Sequence, residues 1–200
     1  MREARNASVH MDRKVTGGFR AAALVGAWLI LALIVVGCSS AADATASPIG
    51  PGAPADDPWR TAELRDVRSG ETLRLTDLAG RLVVIEPMAI WCSTCRAQQN
   101  DVRAALASMN GADIVYVSLD VDPNETGPDL ARYADEHAYP WHFAVASRDL
   151  ARALAEAFGD QVLSPPSTPK IVIAPDGQAE VSFGVKSAAD LEAEFVVLLP

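Results

Sequence analysis

Cysteine is scarce in this chain: the 200 residues contain three, an odd number that allows at most one internal pair. A disulfide-stapled fold is therefore excluded, and the structure has to be held by its core. Basic residues are short too, 17 against 26 acidic, for a net charge of −9. That balance argues against binding nucleic acid or anionic lipid headgroups, both of which need clustered Lys and Arg. A zinc finger lacks its second ligand pair, because His137 and His142 lie more than forty residues past Cys95, far beyond the ~12 of a finger loop. Arg96 stands where a haem attachment site needs a histidine. Asp120-Val121-Asp122-Pro123-Asn124 begins like a calcium loop, but Glu125 and Ala131 occupy the positions of its glycine and its last glutamate. A solvated acidic loop is the better reading.

What the N-terminus does contain is an export address. Arg2, Arg5, Arg13, Lys14 and Arg20 precede sixteen uncharged residues from Ala21 to Val36, an arrangement that keeps the N-terminus inside and sends the rest across the membrane. Val35-Val36-Gly37-Cys38 resembles a bacterial lipobox, which implies cleavage before Cys38 and lipidation of its thiol. The apolar run falls short of the ~20 residues of a comfortable span, so an uncleaved anchor is the weaker alternative. Residues 1–37 hold five of the basic and two of the acidic residues, so the remainder carries 12 against 24, a net −12. With Cys38 lipidated, Cys92 and Cys95 alone remain.

Residues 38–57 are mostly Ala, Ser, Thr, Asp, Gly and Pro, the composition of a disordered tether. Residues 58–200 then form one domain-sized unit. Ala62–Val67 and Glu71–Leu75 flank Arg68-Ser69-Gly70 and predict a hairpin. Leu82-Val83-Val84-Ile85 predicts a central strand covered on both faces, ending at Pro87. A helix is expected from Ser93 to about Met109, a strand at Ile114–Leu119, a helix near Asp129–His137 and a strand at Trp141–Ala146. A helix at Arg148–Phe158, strands at Ile171–Ile173 and near Val181–Val185, and a closing helix at Ala188–Leu199 complete the pattern. Strands alternating with helices and then a terminal hairpin give an α/β fold, a central mixed sheet with helices on both faces and an N-terminal β-hairpin extension.

Trp91-Cys92-Ser93-Thr94-Cys95-Arg96 follows the apolar strand and opens a helix. Two intervening residues let one helical turn bring the sulfurs within disulfide distance, and the helix N-terminus favours a thiolate on the first. This is a redox dithiol.

The order strand, Trp-Cys-x-x-Cys, helix, and later a proline before a strand hairpin resembles the thioredoxin superfamily, nearest its TlpA-like membrane-tethered members. The lead-in from Gly70 through Leu73, Leu75 and Leu78 to Gly80 belongs to the same resemblance. It implies that Cys92 is the exposed attacking thiol and Cys95 the more buried resolving thiol. It implies that Glu86 is a buried acid beneath Cys95, its pKa raised by desolvation, taking the proton as that thiol attacks. It places Thr168-Pro169 as a cis-proline segment facing the dithiol, able to pair with a bound peptide as an added strand, with Pro165 and Pro166 competing for that role. Trp91 belongs to the active-site surface, whereas Trp141 and Phe143 are expected in the core.

Two departures stand out. TlpA-like members usually continue Arg-x-Glu-x-Pro after the second cysteine, but here Gln98 replaces the acid and Asn100 the proline, which removes the acid used in cytochrome maturation. The aromatic run before the active site is Pro87-Met88-Ala89-Ile90, and Ala89 stands where a peroxiredoxin needs Thr or Ser. The resulting expectation is an extracytoplasmic, lipid-anchored, monomeric thiol-disulfide oxidoreductase without a dissociable cofactor or metal. Its partners would be exported proteins with thiols or disulfides and a redox partner at the membrane. The alternative is a copper-chaperone-like module on the same fold, with His137 or His142 as a third ligand, although such modules generally separate their cysteines by three residues.

Overall fold

The computed structural model describes residues 57–199; the export signal, Cys38 and most of the tether lie outside them. A short helix α1 (Pro58–Thr61) precedes the hairpin β1 (Glu63–Arg65) and β2 (Thr72–Arg74). Then follow β3 (Leu82–Met88), α2 (Ser93–Ser108), β4 (Ile114–Asp120), α3 (Gly127–Glu136), β5 (His142–Val145), α4 (Arg148–Phe158), β6 (Lys170–Ile173), β7 (Ala179–Ser182) and α5 (Ala188–Leu198). The larger sheet runs β5-β4-β3-β6-β7. β3 and β5 pair parallel with β4, while β6 pairs antiparallel with β3 and β7. The mixed sheet, the hairpin and the helices follow the sequence expectation; α1 does not appear in it.

β3 is buried along its whole length and sits at the centre of the sheet, which is why its sequence is continuously apolar up to Glu86. Alternation sends Leu82, Val84 and Met88 to one face, where α2, α3 and α5 contribute Val102, Leu130 and Phe195. Val83 and Ile85 point to the other, against Leu154 of α4, Trp59 of α1 and Leu64 of β1. Glu86 shares the parity of Val84 and so faces the α2 side. Trp141 and Phe143 are buried there as expected.

The strand does not end at Pro87. It runs through to Met88 because β4 pairs with it over its full length, whereas β6 pairs only with Val83–Ile85. The missing proline N–H therefore falls beyond the β6 ladder, where it removes no bond. β7 stops at Ser182, three residues short of its expected end, and leaves Phe183-Gly184-Val185 as a loop.

The hairpin is fixed to the sheet by Asp66, which accepts N–H bonds from Arg68, Ser69 and Phe143. Arg68 donates to the carbonyls of Tyr139 and Trp141. Among the described residues no helix is long and apolar enough to cross a membrane.

Candidate active site

Cys92 is the N-cap of α2 and Cys95 lies in its first turn, their Cα atoms 5.3 Å apart and their sulfurs joined in a disulfide. The Cys95 N–H donates to Cys92 Sγ at 3.0 Å. A helix start with an amide aimed at sulfur stabilises negative charge there once the bond is opened. Cys95 Sγ lies 3.2 Å from the carbonyl of Pro165, an acceptor in place for its S–H in the reduced form.

The expectation of an exposed Cys92 is corrected. Cys92 is 2% exposed and Cys95 is fully buried. The start of α2 packs against the 3-10 turn Pro165–Ser167 and joins the cluster containing Met88 and Ala89, so the N-cap position alone does not open the sulfur to solvent. Trp91, beside it, is 59% exposed, and its indole N–H donates to Asp122 Oδ2 at 2.6 Å.

Glu86 is fully buried. Its Oε2 accepts from Gln99 Nε2 and from the Ser118 hydroxyl, each at 3.2 Å. Its Oε1 has no hydrogen-bond partner among the described residues. Burial pushes the carboxyl up to about 7, against the opposing influence of Gln99, the Lys170 charge and Ser118. A strand-end glutamate in solvent is thereby ruled out.

The Thr168–Pro169 bond is trans, contrary to expectation; the described residues contain no cis peptide. The chain turns instead through Thr168, which takes a left-handed φ of 45°, rare for a β-branched residue. Its N–H donates to Pro165 and its carbonyl accepts from Lys170 Nζ at 3.1 Å. Both backbone groups are engaged within the chain, so Thr168 does not present a free edge to an added strand. Of the three competing prolines, Pro165 is the one whose carbonyl meets the Cys95 sulfur.

This arrangement can be set beside known proteins. The chain is 34% identical over 84 residues to a thiol:disulfide interchange protein TxlA homologue of Synechocystis, an alignment covering 42% of this chain and 44% of that one. The chain thus spans less than half the length of that curated relative. No protein-family model matches. Among solved structures, a thioredoxin-family thiol:disulfide interchange protein of Chlorobium tepidum superposes with a TM-score of 0.59 at 20% identity, over 70% of this chain and 93% of that one. A secreted disulfide oxidoreductase of Mycobacterium tuberculosis gives 0.57 at 13% identity, over 71% and 99%. The domain has the thioredoxin fold.

Within this thioredoxin-fold domain several groups at the site had no clear sequence signal. Lys170 is 1% exposed. Its Nζ donates to the carbonyls of Thr168 and Gly184 and to Gln98 Oε1, and burial lowers it to about 8. Gln98, in place of the acid, is buried and clasps Lys186 through both its N–H and its carbonyl. The Gly184 N–H donates to Ser167, so the loop bearing exposed Phe183 and Val185 adjoins the turn over Cys95. A strand expected through Val185 concealed that placement.

The acidic loop is not wholly solvated either. Asp120 is fully buried, and burial pushes it up to about 7 despite the Asp122 N–H, with the Glu125 carboxylate reinforcing the rise. Glu125 accepts the Ile90 N–H at 2.8 Å, so with Asp122 this loop holds the segment leading into Cys92. His137 and His142 do not join the cysteines. The first packs its ring 4.7 Å from that of Tyr133, and the second places Nδ1 3.4 Å from Asp66. Among the described residues no three His, Cys, Asp or Glu side chains come together in a metal-holding group.

Proposed function

We propose that this domain is an extracytoplasmic thiol-disulfide oxidoreductase, tethered through a lipidated Cys38, that exchanges disulfides with exported proteins through Cys92 and Cys95. The observation that carries this reading is the Cys92–Cys95 disulfide at the start of α2, with the Cys95 amide on Cys92 Sγ. A Cys92 thiolate attacks a partner's disulfide and displaces one partner thiolate. Cys95 then attacks Cys92 in the mixed disulfide, which releases the second partner thiolate and leaves the domain oxidised; the reverse sequence oxidises a dithiol. Glu86, its carboxylate facing the helix that carries Cys95, takes the proton as the resolving thiol attacks.

Equilibration against glutathione buffers tests the exchange directly. The pair is expected to titrate as a two-electron couple between about −270 and −120 mV, the range of exchange-active dithiols. A potential below about −300 mV would assign the bond as a structural staple instead.

Trp91, exposed beside Cys92, supplies an apolar surface on which a partner chain rests. Trp91→Ala is expected to lower kcat/KM for a disulfide-bearing peptide about tenfold, the scale of losing one exposed aromatic anchor, while the reduction potential stays put. An unchanged kcat/KM would remove Trp91 from the docking surface.

A further inference from the structure

We infer that Gln99 is a positioning residue for the redox step: it holds the Glu86 carboxylate, in an orientation that Tyr133 dictates. This rests on the base role proposed for Glu86. Gln99 lies four residues after Cys95, one helical turn along the same face of α2, and it is fully buried. Its amide has two ends, and only one orientation suits its neighbours. The Tyr133 hydroxyl donates to Gln99 Oε1 at 2.6 Å, which turns Nε2 toward Glu86 Oε2 at 3.2 Å. Burial holds the Tyr133 phenol well above its ordinary pKa, so it remains a donor. A flipped amide would set its oxygen against the carboxylate and its N–H₂ against that donor.

Ser118 is oriented by the same logic. The Trp141 indole, a donor only, gives its N–H to Ser118 Oγ at 2.9 Å, which leaves the hydroxyl proton for Glu86 Oε2 at 3.2 Å. Two aromatic donors on the far side thus polarise two side chains toward one carboxylate oxygen. Oε1 has no such partner among the described residues, and the buried Tyr116 hydroxyl, likewise without one, acts on the same carboxyl. The other ionisable groups that act on Glu86 are Lys170 from β6, Tyr116 from β4, Tyr133 from α3 and Tyr139. Of the influences that favour the ionised Glu86, the Gln99 hydrogen bond is the largest.

The test follows the Glu86 carboxyl and the chemistry separately. In the full chain, the carboxyl ¹³C signal assigned by its loss in Glu86→Gln gives the ionisation midpoint, and the resolving rate of a preformed mixed disulfide is read across pH. Gln99→Leu is expected to raise the midpoint by about one pH unit, the scale of one hydrogen bond to a charged group. At pH 7 this cuts the ionised fraction, and with it the resolving rate, about fivefold. The rate recovers on the alkaline side. Tyr133→Phe, which removes one hydroxyl and preserves the ring, is expected to move the midpoint the same way by less, and it decides the question should Gln99→Leu not fold. A Glu86 midpoint unmoved in the folded variant overturns the inference, as does a rate lowered equally at every pH with that midpoint unchanged. A midpoint that rises while the rate profile stays still supports the Gln99 assignment and overturns the base role of Glu86 instead.

Discussion

Cys95→Ser is expected to leave the full chain covalently joined to its partner. Once Cys92 has attacked, release depends on a second sulfur held within one helical turn, and the 5.3 Å Cα separation supplies it. A serine hydroxyl cannot displace a thiolate from a disulfide at neutral pH. The mixed disulfide then breaks only through thiols from solution, on the roughly minutes-to-hours scale of uncatalysed rearrangement. Non-reducing electrophoresis and mass spectrometry of the adduct measure it. Cys92→Ser is expected to give none. Burial does not separate the two sulfurs, since both are nearly or fully covered; position does. Cys92 stands ahead of the helix with an amide donor on its sulfur, whereas Cys95 lies within the first turn with its sulfur on the Pro165 carbonyl. Equal adduct from both variants would erase the division of roles, and adduct from neither would remove exchange chemistry from this chain.

The parts of this site that were legible in the sequence are those set by local pattern. Leu82-Val83-Val84-Ile85 reads as a strand buried on both faces because four consecutive apolar residues have no solvent side, and the structure places it at the centre of the sheet. The Cys-x-x-Cys spacing reads as a pair because helical geometry brings those positions together. Pro87 misleads because a missing N–H ends a strand only where a neighbour requires that N–H, and β6 has already stopped pairing. The burial of Cys92 depends on how the 3-10 turn Pro165–Ser167 settles on α2, a contact between segments 70 residues apart. Lys170 looks like a surface lysine until Gln98, Thr168 and Gly184 are seen to meet its three N–H groups. Gln99 is ordinary helix sequence until Tyr133, Ser118 and Glu86 surround it.

Glu86→Gln is expected to stabilise the domain above neutral pH and slow the resolving step in the same solutions. Burial raises the carboxyl from 4.5 to about 7 in the folded chain. Between about pH 4.5 and 7 the native state therefore keeps a proton that the unfolded chain has released, and stability falls through that window, by roughly 3 kcal/mol in all. Glutamine removes the Glu86 part of this slope, because it has nothing to ionise, while Asp120, which burial also pushes up to about 7, keeps its own part in both forms. Lys170 acts in the opposite sense at higher pH. Lowered from 10.5 to about 8, it loses its proton in the native state first, so stability rises between about pH 8 and 10.5. Urea unfolding of both forms at about pH 5 and about pH 8 separates these contributions, since the variant's advantage should appear only at the higher value. The kinetic consequence has the same midpoint and the opposite value to the molecule. In the native chain the resolving rate should climb as Glu86 ionises near pH 7, while in Glu86→Gln it should lack that limb and lie about a hundredfold lower above it, within the range of general-base catalysis. A stability difference that ignores pH would mean that the carboxyl is not held neutral by burial. A stability advantage that appears only at the higher pH, beside an unchanged rate profile, would keep the buried acid and take the proton transfer away from it.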